Sequence, residues 1–325
     1  MKAVTFDPNT DRFSINKIPI PEPSPDEVRI RVEACSLNPV DAKIIKWKRQ
    51  IKTMDSSWVP GLDVSGYVEA VGTEVTMWEP GDQVLYHGNM HKPHGGLAEY
   101  AIHRAATLIH HPDVPAKIAA TTPCAGWTAF RALTDRLRID KDSTLLISGA
   151  SGGVGGFAVQ IAKALGVRTI IATCSSENIP YVSELGATHT IDYHHENIVQ
   201  RVIDITEGNG VTHALDTVGN GAEVPIVDSL AFEGQIVEVA SLLRPELYED
   251  AFKKGLTFHQ LALGMAHTTP ETEHLLVEAG TEFSRLLEEG LITIKRKRII
   301  SLSEAPHALE HLLQRSSPDK IIVSL

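Results

Sequence analysis

The chain has few cysteines, no long apolar run and no surplus of positive charge, and each shortage excludes something. Its three cysteines, Cys35, Cys124 and Cys174, make no CxxC and no regular spacing, so a disulfide framework is not expected. No apolar stretch approaches the roughly 18–20 residues that a membrane helix needs, so no membrane partner is expected. "MKAVTF" runs straight into a strand-like segment without the apolar core of a secretory signal, and the expected location is the cytoplasm. A net charge of −11 would repel nucleic-acid phosphates, so no nucleic-acid partner is expected. Two basic clusters run against this balance, "KIIKWKRQIK" (43–52) and "KRKR" (295–298). Both read as solvated surface, and the first keeps functional interest because it adjoins "CSLNPVDAK" (35–43). There is no sequence repeat and no low-complexity segment.

What is present is enough chain, 325 residues with 42% apolar side chains, for one large domain or two ordinary ones. The first 120 residues are strand-like and rich in turns. "EVRIRV" (27–32) alternates charged and apolar residues like a half-buried strand, between the breakers "PEPSP" and "NP". The texture changes near residue 123. Strand candidates "TLLIS" (144–148), "TIIAT" (169–173), "TIDY" (190–193), "HALDT" (213–217) and "QIVEVA" (235–240) now alternate with helical runs. Val154, Phe157, Ala158, Ile161, Ala162 and Leu165 form one helical face, which Gly166 can end. Alternating β and α units imply an α/β fold with a parallel sheet. A tail from about 265 reads as helices at 271–289 and 304–314, with strand-like "LITIKRKRIISL" between them and "KIIVSL" at the end.

"SGASGGVGG" (148–156) follows a strand and opens the helix just described. Glycine permits the sharp turn and lets a diphosphate approach the free N–H groups of the helix N-terminus. Against GxGxxG the segment reads Ala150-x-Gly152-x-x-Gly155, with alanine at the first glycine. About twenty residues on, where NAD sites usually place an acid, stand Thr173, Cys174, Ser175 and Ser176. Hydroxyls tolerate a 2′-phosphate that a carboxylate would repel, which favours NADPH, with Ser175 as donor and Tyr193 in support. The segment "SENIPYVSELGA" offers no Lys or Arg for that phosphate.

Together with "SLNPVDAK", "GLDVSGYVEAVG", "PGDQV", "GGLAEYA", "PCAGWTAFRAL", "LGATHTIDY" and "ALDTVGN", these residues carry a likeness over nearly the whole chain. It resembles the zinc-independent quinone oxidoreductase branch of the medium-chain dehydrogenase/reductases, the group of zeta-crystallin and the plant and bacterial ene-reductases. The resemblance implies a GroES-like, mostly-β catalytic domain (1–122), a Rossmann NADP-binding domain with a doubly wound parallel sheet (123–265), and a return to the catalytic domain (266–325). It also implies a catalytic cleft between the domains and a homodimer formed through the Rossmann sheet edge.

Zinc-dependent relatives bind the metal through Cys, His and Cys. Matched motif by motif, those positions hold Asn38, Leu62 and Cys124. One thiolate cannot hold a zinc that needs about three protein ligands, and no metal is expected. "LYHGNMHKPHGGLAEY", where the structural-zinc lobe would be, has no cysteine; Cys35 is offset and reads as a packing residue. His87, His91 and His94 lie in that segment, read as a loop without a partnering acid. Without a Lewis acid, hydride addition to a conjugated acceptor needs less help than alcohol oxidation, because a few donors can stabilise an enolate or hydroquinone anion. The expected reaction is NADPH-dependent reduction of an apolar quinone, enal or enone. The catalytic candidates are Asn38, Lys43 and Tyr86, the resemblance pointing to Lys43. The cofactor candidates are Thr128, Gly152, Gly153, Val154, Ser175, Tyr193, Val218, Ala240 and Lys320, the resemblance pointing to Thr128 and Lys320. Lys43 reads equally as a solvated side chain, Asp41 as a holder of Lys43 or of the backbone, and Tyr86 as core. Trp47, Trp58, Tyr86 and Met265 are pocket walls or ordinary core. Competing readings are a carbonyl or alcohol dehydrogenase, and a nucleotide-binding protein with a structural or RNA-binding role.

Overall fold

The structure, a computed structural model, describes residues 1–314 and 319–325. The chain forms two compact units, residues 1–127 with 263–325 and residues 128–262. In the first, β1 (Lys2–Asp7) and β2 (Arg12–Lys17) make an antiparallel hairpin. The alternating segment becomes β3 (Glu27–Leu37), in which Val28, Ile30 and Val32 are buried and Arg31 is exposed. From Ala34 onward β3 is buried on both faces. Pro39 cannot continue the ladder; it opens a one-turn helix, Pro39–Ala42, with Asn38 as its N-cap. There follow β4 (Asp63–Val71), β5 (Gln83–His87), β6 (Tyr100–Arg104) and the short β7 (Ile109–His110). Cys35 is fully buried among Val64, Tyr86 and Leu97, the packing role expected of it.

The second unit is built on six parallel strands: β8 (Thr144–Ile147), β9 (Thr169–Cys174), β10 (His189–Asp192), β11 (Val211–Asp216), β12 (Leu230–Glu238) and β13 (Thr257–Gln260). Their order is β10-β9-β8-β11-β12-β13. The chain winds outward from β8 and then restarts on its other side at β11, so the strand order reverses between these two. In doubly wound sheets that reversal is where ligands bind. The Gly153–Ala164 helix buries Phe157, Ala158, Ile161 and Ala162, as the periodicity requires. Leu165, placed on that face by spacing, is 40% exposed because the helix has ended by then. Gly166, at φ +78°, supplies the left-handed stop. Strand β13 was not expected: "TFHQ" carries little apolar signal, and it is a strand because β12 offers it a ladder.

The tail packs the Pro270–Glu288 helix on Leu276, Ala279, Phe283, Leu286 and Leu287. Only Lys297–Ser301 of "LITIKRKRIISL" is strand (β14), because only that part has a partner. The partner is β15 (Lys320–Ser324), which also runs antiparallel to β3, from Ile321↔Leu37 to Ser324↔Ala34. The result is a seven-stranded sheet, β14-β15-β3-β4-β5-β7, with β6 on β3. Among the described residues no helix is long and apolar enough to cross a membrane.

Candidate active site

The turn after β8 is shaped by two glycines. Gly149 sits at φ +61°, and a Cβ there would meet the Thr217 hydroxyl at 2.7 Å and Val218 at 2.9 Å. The turn residue is thus Gly149, one position before Ala150, which is buried and donates its N–H to Thr173 O at 3.1 Å. A Cβ on Gly155 would lie 2.4 Å from Gly149 O, so helix and turn approach as closely as backbone allows. Gly152 is the extended N-cap, and Gly156 N→Gly152 O is the first bond across the helical turn. The N–H groups of Gly153, Val154 and Gly155 therefore have no partner within the helix and stand at the positive end of its dipole. Gly152, Gly153, Val154 and Val218 are brought together here. Val218 is half-exposed, its N–H on Asp216 Oδ1 at 3.2 Å; Ala240, after β12, is exposed. This cradle fits a dinucleotide diphosphate.

At the end of β9, Ser175 donates to Glu177 Oε1 at 3.3 Å and accepts from Asn178 Nδ2 at 2.8 Å. An acid therefore does stand close to this strand end, immediately after Ser176. A second, Asp192, is drawn down to about 2 by the Ser176 hydroxyl and then by His195 and the His194 N–H. Tyr193 is half-exposed beside His194. Thr128 is buried at the start of the Thr128–Arg131 helix.

In the other unit, the register of β15 on β3 sets Lys320 beside Asn38. Lys320 Nζ donates to Asn38 Oδ1 at 2.8 Å and lies 3.7 Å from Asp63 Oδ2. Asn38 Nδ2 donates to Asp63 Oδ2 at 2.8 Å, and its backbone N–H to Asp41 Oδ2 at 2.8 Å. Cys124 N donates to Asp63 Oδ1 at 2.7 Å. Burial pushes Asp41 up to about 7, with the charge of Asp63 adding to it. Burial also raises Asp63, to about 6, while Lys320 and Asn38 hold it down. The Cys124 thiol is pushed well above its usual value by burial and then by Asp63. Lys43 joins two short helices, with an exposed side chain and no partner among the described residues.

His87 is not in a loop. It lies on β5 directly opposite Asp63, buried, with Nδ1 unbonded among the described residues. The expectation that no acid stands near this histidine is therefore corrected: the donor atoms of Asp63, His87 and Cys124 lie within 4.8 Å of one another. His91 and His94 do lie in the following loop. Tyr86 is buried and stacks on His103 at 4.3 Å, and its hydroxyl has no partner among the described residues. Trp47, Trp58, Tyr86 and Leu62 line one recess of about 30 Å³, room for a water or two and not for a quinone ring. Met265 lies outside that recess and is 40% exposed.

Residues 24–113 match the alcohol dehydrogenase GroES-like domain, and residues 153–278 match the zinc-binding dehydrogenase family. A quinone oxidoreductase of Pseudomonas aeruginosa is 32% identical over 307 residues, 93% of this chain and 92% of that protein. The chain belongs to the quinone oxidoreductase branch of the medium-chain dehydrogenase/reductase superfamily. Quinone oxidoreductase structures share its fold. That of Pseudomonas syringae superposes with a TM-score of 0.87 at 28% identity, covering 100% of this chain and 99% of that one. The Escherichia coli enzyme, solved in complex with NADPH, gives 0.86 at 24% identity and covers 100% of each chain. Within this family, sequence reasoning singled out Asn38 and Leu62 as the changed positions but passed over Asp63, the next residue. Its only signal was an acid in the otherwise apolar start of "LDVSGYV". It also missed Asp216 and Glu238, which end β11 and β12.

Proposed function

We propose that this protein is an NADPH-dependent reductase that passes hydride to a quinone or to the activated C=C of an enal or enone, without zinc. The observation that carries the reading is a pair: an intact dinucleotide turn, and a ligand corner where Asn38, Leu62 and the Lys320 ammonium stand. When bound, NADPH supplies the hydride; the Escherichia coli fold relative is complexed with it. The open N–H groups at Gly153 and Val154 hold the diphosphate, with Gly152 giving it room. Ser175 and Tyr193 would take the 2′-phosphate, Thr128 the nicotinamide, and Val218 and Ala240 the flanks of the cofactor. Residues 123–265 thus serve the cofactor, while 1–122 and 266–325 serve the acceptor, in a cytoplasmic homodimer.

Hydride addition leaves negative charge on the acceptor oxygen. The Asn38 amide and the Lys43 ammonium are the donors offered to that charge; Tyr86, expected as a third, is buried in a recess too small for the acceptor and packs on His103 instead. Asp41, raised to about 7 and with its Oδ1 unpartnered among the described residues, is the group offered to hold or release the proton that completes the reduction near neutral pH. Lys320 keeps Asn38 in position through its amide oxygen.

The donor set speaks against a catalytic zinc. Asp63, His87 and Cys124 converge, but both Asp63 oxygens already accept N–H bonds and an ammonium lies 3.7 Å away. That convergence is the one feature favouring the alternative, a metal-dependent carbonyl or alcohol dehydrogenase. NADPH oxidation by purified protein, tested on quinones, enals, enones and simple ketones with metal content measured alongside, decides between them. Turnover of conjugated acceptors with zinc far below stoichiometric, and no loss on chelation, is expected. Stoichiometric zinc whose removal abolishes ketone reduction would sink the proposal.

A further inference from the structure

Two buried carboxyl groups sit side by side at the ends of β11 and β12, and the proposed reaction does not use either. Asp216 and Glu238 are direct register partners and almost fully buried. Asp216 Oδ1 accepts from the Ser148 hydroxyl and from Val218 N; Oδ2 accepts from Gly219 N at 2.9 Å. Glu238 Oε1 accepts from Ala240 N at 2.6 Å and Ser241 N at 2.8 Å. Glu238 Oε2 is buried with no donor reaching it from the described residues.

We propose that Asp216 and Glu238 share one proton, carried on Glu238 Oε2, and that this acid–carboxylate pair positions the two turns that flank the cofactor. The inference rests on the dinucleotide-binding reading above. A second negative charge beside a buried carboxylate is repelled, and the anion settles where it has more donors. Asp216 has three donors, Glu238 two. Burial first, then the hydrogen bond and charge of Asp216, raise Glu238 to about 8.

The surroundings do not neutralise the pair. Glu223, from the Glu223–Asp228 helix, is taken by Arg244 Nε at 2.8 Å and by Gly221 N at 2.7 Å. The Tyr248 hydroxyl accepts from Arg244 N. Gln260, opposite Glu238 on β13, is uncharged and donates to Ser241 O. On the β8 side the Ser148 hydroxyl faces Asp216. Among the described residues no Lys, Arg or His pairs with Asp216 or Glu238. Carboxylate oxygens of Asp216, Glu223 and Glu238 do lie within 4.8 Å of one another. A cation there would have to displace Arg244 from Glu223 and compete with the N–H donors on Asp216, whereas a proton displaces nothing.

The pair ties three turns together. Thr217 N donates to Ser148 Oγ and Thr217 Oγ1 to Ser148 O, fastening the β11 turn to the glycine turn. Asn220 N reaches Ser241 Oγ at 3.3 Å, and Gly219 has no room for a side chain against Ser241. Loss of the shared proton leaves two like charges facing each other beneath Val218 and Ala240, and the turns they hold move apart.

Titrations of NADPH binding from pH 6.5 to 9.5 test this. For wild type, Kd should be flat to about pH 7.5 and then rise, approaching tenfold per pH unit above the pKa of the pair. Glu238→Ala, which strands two N–H donors and leaves Asp216 alone, should weaken binding about tenfold or more at pH 7. Glu238→Gln supplies a neutral donor at the same place. It should restore neutral-pH affinity to within about threefold of wild type and abolish the alkaline rise. A merely structural role would not remove the pH dependence. A wild type that binds NADPH with flat Kd to pH 9.5, or a Glu238→Gln variant that keeps the rise, overturns the proposal. Infrared difference spectra between pH 7 and 9 read the proton without cofactor: beyond the Asp41 band that both proteins share, wild type should lose a second protonated-carboxyl band that Glu238→Gln lacks. If neither NADPH nor NADH binds at any pH, the cofactor reading fails while this band still reports on the pair, and its absence overturns the shared proton. Stabilisation of wild type but not Glu238→Gln by millimolar Mg²⁺, Ca²⁺ or Mn²⁺ would also overturn it, in favour of a cation site.

Discussion

At the scale of single residues, the strand end after β9 holds a conflict. Ser175 is the hydroxyl offered to a 2′-phosphate, yet it donates to the Glu177 carboxylate. A phosphate arriving there would meet a like charge a few ångströms away, and no Lys or Arg on that segment offsets it. Exposure keeps the penalty modest, on the order of 1 kcal/mol at such separations in water-like surroundings. Glu177→Gln should therefore tighten NADPH binding by about threefold to tenfold and leave NADH almost unchanged. Fluorescence titration of both cofactors at low and high salt measures this, and the gain should shrink as salt screens it. Equal tightening of both cofactors would show that Glu177 acts on something other than the 2′-phosphate.

At the scale of elements, the crossing of the glycine turn with its helix is the tightest joint in the second unit. A methyl group on Gly155 would press on Gly149 O at 2.4 Å and on the Ala150 Cα at 2.8 Å, both backbone atoms with nowhere to go. Gly155→Ala should cost about 1–3 kcal/mol by overpacking. Because the open N–H groups move with the helix, NADPH affinity should fall too; thermal melts with and without NADPH read both effects, and an unchanged melt would mean that the joint is looser than its spacing. This joint was legible in the sequence because its parts are local: a strand, a run of glycines and a 3.6-residue apolar period within thirty residues. Even so, pattern matching put the turn at Ala150, and only the φ of Gly149 shows which residue turns. What was not legible is whatever depends on register between distant strands. Asn38 and Lys320 are 282 positions apart and meet because Ile321 pairs with Leu37. Asp63 and His87 face each other across β4 and β5 for the same reason, and no spacing along the chain announces it. Strand β13 exists only because β12 leaves an edge for it.

At the scale of the whole molecule, buried titratable groups pull stability in opposite directions with pH. In the first unit His87, His103 and His267 lie close together, with ring centroids 5.8 Å and 5.4 Å apart. Burial first, then their neighbours' charges, lower His87 to about 3 and His103 well below its usual 6.5. Burial also lowers His267, to about 4. Each stays neutral in the fold at pH values where the unfolded chain has already taken up the proton. Its contribution is thus complete above pH 6.5 and is lost as pH falls toward the folded value. Asp41 and Asp63 do the reverse. Raised from 3.8 to about 7 and about 6, they contribute most below the unfolded value and lose that contribution as pH rises through 6 to 7. Between pH 6.5 and 4.5 the two trends offset, so the wild-type melting curve alone says little. A variant isolates one of them. His103→Gln removes one titration while keeping a hydrogen-bonding group for Thr107, which bonds His103 Nε2 at 2.9 Å. Whatever its stability at pH 7, this variant should gain on wild type as pH falls. The gain should grow as pH falls below 6.5, by at most about 1.36 kcal/mol per unit, and show as a widening difference in Tm. Calorimetry of both proteins at half-unit steps follows the difference. A gap that stays constant or narrows would mean that His103 is protonated in the fold, and that the stack on Tyr86 carries a charge.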